Sequence, residues 1–324
     1  MPVRPLNVAV LYGGRSGEHE ISLRSAESII AGLDRAKYEV QRLFITPDGR
    51  WEPRALSPEP GANPGIDVVF PVLHGTFGED GTVQGLLELA GLPYVGAGVL
   101  ASAVAMDKEI TKRLLVERGL PVVEYVSITR GHHSDFKLPF PLFVKPANLG
   151  SSVGISKVKT CAELPAALEL AGQYDRKILV ERGIAGREFE CSVLGSEQPI
   201  AAVPCEVIPS REFYDYEDKY LLDAAKLIVP APLTPEQTAE MQRLAIDGYR
   251  AIECEGMARV DFLMETASGK IYINEINTIP GFTSISMYPK MWEAAGVPFA
   301  ELLDRLIDLA LERHRSREAT RYKR

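Results

Sequence analysis

Apolar runs and helix-spaced apolar positions alternate along the first hundred residues. Val8-Ala9-Val10-Leu11 is a short apolar strand. Ile21, Ala26, Ile29, Ile30 and Leu33 recur at helical spacing and predict a helix over 18–33. Further strands are predicted at 40–45 and 66–72, and helices at 83–90 and 99–106. Strands alternating with helices imply a mainly parallel sheet. Beyond it the pattern changes. A charged helix is predicted at 108–118 and another at 161–171. Strands are predicted at 122–128, 142–145 and 178–181, with paired strands at 187–194 and 200–207. Residues 209–226 are polar and aromatic with no period, and read as a lid or binding loop. Thr234-Pro235-Glu236 opens a long helix to 252: an N-cap, proline at the first helical position, an acid in the first turn. The last amphipathic helix is predicted at 299–311, and the basic run from Arg313 to Arg324 reads as a helix end grading into a frayed tail.

Near the C-terminus, Ala258-Arg259-Val260-Asp261-Phe262-Leu263 and the run from Tyr272 to Gly281 read as two strands joined by a turn at Ser268-Gly269. Glu275 and Asn277 are two apart and point to one face. Their Cα atoms would stand roughly 7 Å apart. Asp261 on the neighbouring strand adds a third oxygen donor. Two carboxylates and an amide form an all-oxygen set that selects Mg²⁺ over Zn²⁺. Such a magnesium site completes its shell with water and phosphate oxygens, which points to a nucleoside triphosphate. Three polar residues on the wet face of a hairpin would look the same, so both readings stand at this point.

Composition narrows the field. A chain of 324 residues is expected to form two or three domains. Its 46% hydrophobic and 25% charged residues are an ordinary soluble mixture, with no run long enough to span a membrane. The start, Met1-Pro2-Val3-Arg4-Pro5, resembles no signal peptide. Four scattered cysteines without a CxxC pair suit free thiols in a reducing cytoplasm. A net charge of −8 argues against general nucleic-acid binding.

Further motifs carry two readings each. Gly150-Ser151-Ser152-Val153-Gly154 follows a strand ending in Lys145-Pro146; it could cradle phosphates or make a plain hairpin turn. Tyr12-Gly13-Gly14-Arg15-Ser16-Gly17-Glu18 joins the first strand to a helix, where α/β sheets bind ligands. Glu18 there would suit an amino group, or merely complement the helix dipole. Gly96-Ala97-Gly98-Val99-Leu100-Ala101 fits the dinucleotide pattern GxGxxA, but close helix packing explains it better. His74, before Gly75, reads by default as a satisfied structural histidine.

Taken in order, these motifs resemble one family. Met106-Asp107-Lys108, Phe143-Val144-Lys145-Pro146 with the glycine-serine loop, Arg187-Glu188-Phe189, the stretch from Phe213 to Tyr220, Arg259-Val260-Asp261, and the run from Asn274 to Gly281 with Thr283-Ser284 together resemble the D-alanine–D-alanine ligases of the ATP-grasp superfamily. The resemblance runs over about 7–311. It implies α/β and α+β architecture in a three-domain ATP-grasp fold: a parallel-sheet substrate domain over 1–107, a central subdomain over 108–188 with a lid at 147–154, and a catalytic domain over 189–324 with a lid loop at 209–226.

It further implies ATP-dependent joining of two D-alanines through an acyl phosphate for peptidoglycan precursors, with two Mg²⁺ ions (or Mn²⁺), in a cytoplasmic homodimer bound to neither membrane nor nucleic acid. By that resemblance Lys108 and Lys145 contact phosphates, Glu181 lies near the adenine amino group, and Glu188 near the ribose. Ser151 closes over the phosphates. Asp261, Glu275 and Asn277 ligate the metals. Glu18 and His74 hold the first D-alanine. Arg259 and the Gly281 N–H stabilise the oxyanion. Ser286, Met287 and Lys219 face the second D-alanine, and Lys219 also reaches the nucleotide. Tyr220 marks dipeptide-forming members over those that make D-alanyl-D-lactate. Arg182-Gly183-Ile184 departs from the bulkier adenine hinge expected, which puts nucleotide affinity in doubt.

Overall fold

The structure is a computed structural model that describes residues 4–132, 136–150, 153–209 and 226–321. Ser151, Lys219, Tyr220 and most of the aperiodic 209–226 segment lie outside the described residues.

The chain builds three sheets. The first is a four-stranded sheet of β1 (Leu6–Gly13), β2 (Tyr38–Ile45), β3 (Trp51–Glu52) and β4 (Val68–Pro71), in the order β3-β2-β1-β4. β1 pairs parallel with β2 and β4; only the short β3 runs antiparallel. The apolar run Val8 to Leu11 is fully buried at its centre, as an inner parallel strand should be. Helices α1 (His19–Gly32), α2 (Thr82–Leu89) and α3 (Val99–Met106) complete this part.

The central sheet holds β5 (Tyr125–Thr129), β6 (Leu142–Pro146), β7 (Ser156–Val158) and β8 (Lys177–Arg182), ordered β5-β8-β6-β7 and all antiparallel. Helices α4 (Lys108–Glu117) and α5 (Leu164–Tyr174) belong with it. The third sheet contains β9 (Gly186–Leu194), β10 (Ile200–Ala201), β11 (Cys205–Ile208), β12 (Lys226–Ile228), β13 (Met257–Glu265) and β14 (Ile271–Asn277). Helix α6 (Pro235–Ala251) packs on it, followed by α7 (Met287–Ala294) and α8 (Phe299–Glu318).

One core cluster joins the first sheet to α7 and α8, through Val8, Val10 and Phe70 on one side and Phe282, Trp292 and Leu306 on the other. The N-terminal and C-terminal parts therefore share a core.

Several expectations shift. The helix predicted at 161–171 begins three residues later, at Leu164 with Pro165 in its first turn, since proline is accommodated there and not further in. The strands predicted over 200–207 are two short ones separated by the segment holding Pro204, which lacks an N–H to donate. The last helix does not end at 311. It continues to Glu318, so the basic run does begin as a helix end, with Arg313 well inside the helix. Its guanidinium is buried, donates to the carbonyls of Gly96 and Tyr94 (2.7 Å to the latter), and lies 4.2 Å over the Tyr94 ring. The Gly96 carbonyl is thus bonded to a helix at the other end of the chain, but close helix packing does not explain its glycines. A Cβ at Gly96 would meet nothing nearer than 3.5 Å and one at Gly98 nothing nearer than 3.9 Å, and it is the φ of +95° at Gly96 that asks for glycine.

Helix α7 and strands β3, β7 and β12 were not expected from the pattern. The strands are two or three residues long, too short to show alternation. All four cysteines are free, three of them buried.

Candidate functional site

The hairpin of β13 and β14 carries the first set of charges. Arg259 pairs with Asn277 and Asp261 with Glu275. All four therefore share the face opposite Val260, Phe262 and Ile276, which are core. Strict alternation would also have put Ile273 on the charged face, since it is two residues from Glu275. A bulge prevents this. The register slips between Asp261 and Phe262, so Phe262 pairs with Ile273 and Asn274 is the extra residue. Ile273 is thereby fully buried, while Glu275 and Asn277 turn outward.

Arg259 grips Asp261 through two bonds, Nε to Oδ1 at 2.7 Å and Nη2 to Oδ2 at 2.6 Å. Its Nε also lies 3.3 Å from Glu190 Oε2 on β9. Asn277 Nδ2 donates to Asp261 Oδ2 at 3.0 Å. Lys108 Nζ stands 3.8 Å from Glu275 Oε2 and donates to the Leu149 carbonyl at 2.7 Å, at the start of the glycine-serine loop. Asp261 and Glu190 thus share Arg259, and Glu275 has Lys108 within 4 Å. Among the described residues, no three His, Cys, Asp or Glu side chains converge to hold a metal. Two carboxylates and the Asn277 amide would have to serve.

The opposite wall is the central sheet. Phe143 pairs with Glu181 and Lys145 with Leu179, so Lys145 and Glu181 share a face. Glu181 is 4% exposed. Lys145 Nζ reaches its Oε2 at 2.6 Å, and Lys112 Nζ on α4 reaches its Oε1 at 2.9 Å. Burial alone would raise the carboxyl's pKa, yet Lys112 and Lys145 outweigh it and hold the group below its ordinary value. Burial in turn pulls Lys112 below the usual lysine value, against the attraction of Glu181. Asp107 caps α4 by accepting from the N–H groups of Glu109 and Ile110 at 3.1 Å each, and Lys177 holds the same carboxylate at 2.6 Å. The helix carrying Lys108 and Lys112 is fixed at its start.

Between these walls lies a cleft of about 570 Å³, lined by Lys108, Lys145, Glu181, Glu188, Asp261 and Glu275 among others. Arg182 ties the walls together at its rim, through Glu265 at 2.9 Å and the Tyr272 hydroxyl at 3.2 Å. Gly183 donates to the Pro141 carbonyl at 2.7 Å, where an added Cβ would meet that same oxygen at 2.8 Å.

Glu18 and His74 meet near the segment after β14. Glu18 is the N-cap of α1 and only 9% exposed. Cβ atoms at Gly75 and Gly150 would stand 2.7 and 3.2 Å from its Oε2, so glycine at both positions lets the two loops close on this carboxylate. His74 is buried, with Nδ1 3.1 Å from the Ile279 carbonyl and Nε2 3.3 Å from Ser25 Oγ. Burial opposes its charged form, but Glu79 and Glu18 prevail and raise its pKa. A Cβ at Gly281 would lie 2.7 Å from Ser286 Oγ. That hydroxyl accepts from the Thr283 N–H at 3.0 Å, just ahead of α7. Met287 does not join the group through its side chain, which is buried with its sulfur 3.2 Å from Cys205 Sγ.

A family described as D-ala D-ala ligase C-terminus matches residues 114–308, and one described as D-ala D-ala ligase N-terminus matches 7–64 and 52–97. The chain belongs to the D-alanine–D-alanine ligase family. Among its relatives is the D-alanine–D-alanine ligase of Solibacter usitatus (strain Ellin6076), 67% identical over 98% of this chain and 99% of the relative. Another, from Thermoanaerobacter sp. (strain X514), is 51% identical over 95% and 97%. Of solved structures, the D-alanine-D-alanine ligase from Coxiella burnetii superposes with a TM-score of 0.88 at 40% identity, covering 98% of this chain and 97% of that one. VanG D-Ala:D-Ser ligase from Enterococcus faecalis gives 0.86 at 36% identity, over 95% and 100%. Membership makes the chain an enzyme, a ligase, and the ATP-grasp architecture expected from the motifs stands.

Two charged residues at or against the cleft escaped the sequence reading. Glu190 could have been found by alternation, two residues from Glu188 on one strand. Lys112 follows Lys108 by one helical turn on a face shared with Thr111 and Leu115, an unusual place for an ammonium unless it has a buried partner.

Proposed function

We propose that the cleft activates one D-alanine with ATP and joins it to a second, giving D-alanyl-D-alanine for peptidoglycan precursors. The observation that carries this reading is the cleft that brings Asp261 and Glu275 of the hairpin together with Lys108, Lys145 and Glu188. A carboxylate does not react with an amine until its oxygen becomes a leaving group. The γ-phosphoryl of ATP would pass to the first D-alanine's carboxylate, releasing ADP. The second D-alanine's amine, having lost its proton, would attack the acyl carbon, and phosphate would leave as the peptide bond forms. Lys108 and Lys145 would neutralise phosphate charge, Glu18 would hold the first ammonium, and Glu188 would meet the ribose. Arg259 and the Gly281 N–H would receive the oxyanion. Ser151, Lys219, Tyr220, Ser286 and the backbone at Met287 would complete the pocket.

The donors fit magnesium. Asp261, Glu275 and Asn277 offer hard oxygens, and Arg259 and Lys108 stand against the two carboxylates as the cations that magnesium would displace. Magnesium, or manganese in its place, would supply charge neutralisation at the transferring phosphoryl.

A second copy of the chain would complete the assembly. Leu89 and Leu100 are 66% and 61% exposed on the adjacent helices α2 and α3, and such a patch supports a homodimer. The free thiols suit the cytoplasm. No helix among the described residues is long and apolar enough to cross a membrane.

The test is phosphate release from ATP with D-alanine, D-serine and D-lactate in turn, followed by product analysis. Release that needs D-alanine and yields the dipeptide is expected. Mixed D-alanyl-D-serine as the main product would move the chain beside the D-Ala:D-Ser neighbour. Nucleotide binding without D-alanine-dependent release would remove the ligase reading of the cleft.

A further inference from the structure

Lys112 is 1% exposed and does not line the cleft, yet its ammonium is 2.9 Å from Glu181, which does. The other ammonium on Glu181 belongs to Lys145, which lines the cleft 2.6 Å away. The two lysines differ in freedom. Lys145 sits at the cavity surface and can swing toward a polyanion that enters. Lys112 projects from the buried face of α4, a helix fixed by the Asp107 cap, and does not line the cavity. A nucleotide that draws Lys145 toward its phosphates would, without Lys112, leave Glu181 with neither lysine in a low-dielectric wall, where an ionised carboxylate without a counterion is costly.

We propose that Lys112 is a positioning residue for nucleotide-base selection: it stays on Glu181 Oε1 while Lys145 serves the phosphates, so that Glu181 keeps its place and its charge toward the base. This rests on the reading of the cleft as an ATP site with Glu181 facing the base. An ionised carboxylate accepts hydrogen bonds and cannot donate them. It welcomes the exocyclic amino group of adenine and repels the oxo group that hypoxanthine carries at the same position. With Lys112 gone, the carboxyl can take up a proton or turn away, and either change lets the oxo purine in.

The experiment compares kcat/KM for ATP and for inosine triphosphate in the wild type, Lys112→Met and Glu181→Gln. In Lys112→Met the preference for ATP is expected to fall about tenfold or more, with KM for ATP rising more than kcat falls. An unchanged ATP-to-ITP ratio in Lys112→Met, with the ratio collapsing in Glu181→Gln, overturns the role of Lys112 alone. An unchanged ratio in Glu181→Gln removes the base-facing reading of Glu181 and this proposal with it. If Lys112→Met does not fold, Lys112→Gln carries the same comparison. Failure of both to fold, while Glu181→Gln folds, would make Lys112 purely structural and overturn the proposal.

Discussion

The two walls of the cleft bury charge in opposite ways. On the β13–β14 wall, Asp261 and Glu275 keep 13% and 23% of their side chains exposed, and the cations against them come from Arg259 and Lys108. On the central-sheet wall, Glu181 keeps 5% and is clamped from both sides. The carboxylates of the first wall are partly open, so an incoming cation can take the place of Arg259 or Lys108 beside them. On the second wall Lys145 lines the cleft and can turn to an incoming polyanion, whereas Lys112 does not line it and stays with the carboxylate. One wall can trade its counterions; the other keeps one of its two.

Replacing Glu275 by Gln tests the exchangeable wall most severely. It should cut D-alanine-dependent phosphate release on the order of a thousandfold, since several kcal/mol of charge stabilisation at the phosphoryl is lost. Activity near the wild type would remove the metal reading of that wall. Arg259→Met comes next, with a loss of about 3 kcal/mol of barrier, near a hundredfold in kcat, if its guanidinium turns from Asp261 to the oxyanion during the reaction. A loss confined to KM would leave it a structural partner of Asp261.

Stability separates the walls more directly. Glu181→Gln should cost about 3 kcal/mol in urea unfolding, because two buried lysines lose their counterion. Glu275→Gln should cost under about 1 kcal/mol, as partly exposed pairs do. Equal costs would erase the distinction between the walls.

The smallest effect is a slope. The pKa of His74 is raised in the folded state by Glu79 and Glu18 in spite of burial. Its contribution to stability is therefore fully present below the ordinary histidine value and lost as pH rises through the folded value. The stability gap between wild type and His74→Gln should narrow with rising pH. A gap constant with pH would mean that the imidazole is not charged in the fold.

Most of the fold was legible because its elements carry a period. The buried run at Val8 to Leu11, the capped helix after Thr234 and the small-residue helix from Val99 to Met106 follow from local spacing. What was not legible depends on partners far along the chain. Arg313 reads as part of a basic tail until Gly96 and Tyr94 supply carbonyls from over 200 residues away. Lys112 reads as one more charge on a charged helix until β8 brings Glu181 to it. The charged hairpin was visible as a set of donors, because Glu275 and Asn277 lie two apart. That Arg259 binds Asp261 and Glu190 on the same face needed the register of three strands.

The bulge at Asn274 divides β14 into two phases of one alternation. Before it, odd-numbered residues face inward; after it, odd-numbered residues face outward. Deleting Asn274 would remove the extra residue and merge the two phases into one unbroken alternation, with Ile271, Ile273 and Ile276 inward and Glu275 and Asn277 outward. Deleting a residue on either side of it that belongs to the ladder would instead shift its neighbours to the wrong face. The bulge is therefore the one place in this strand where its length can change without turning a side chain over.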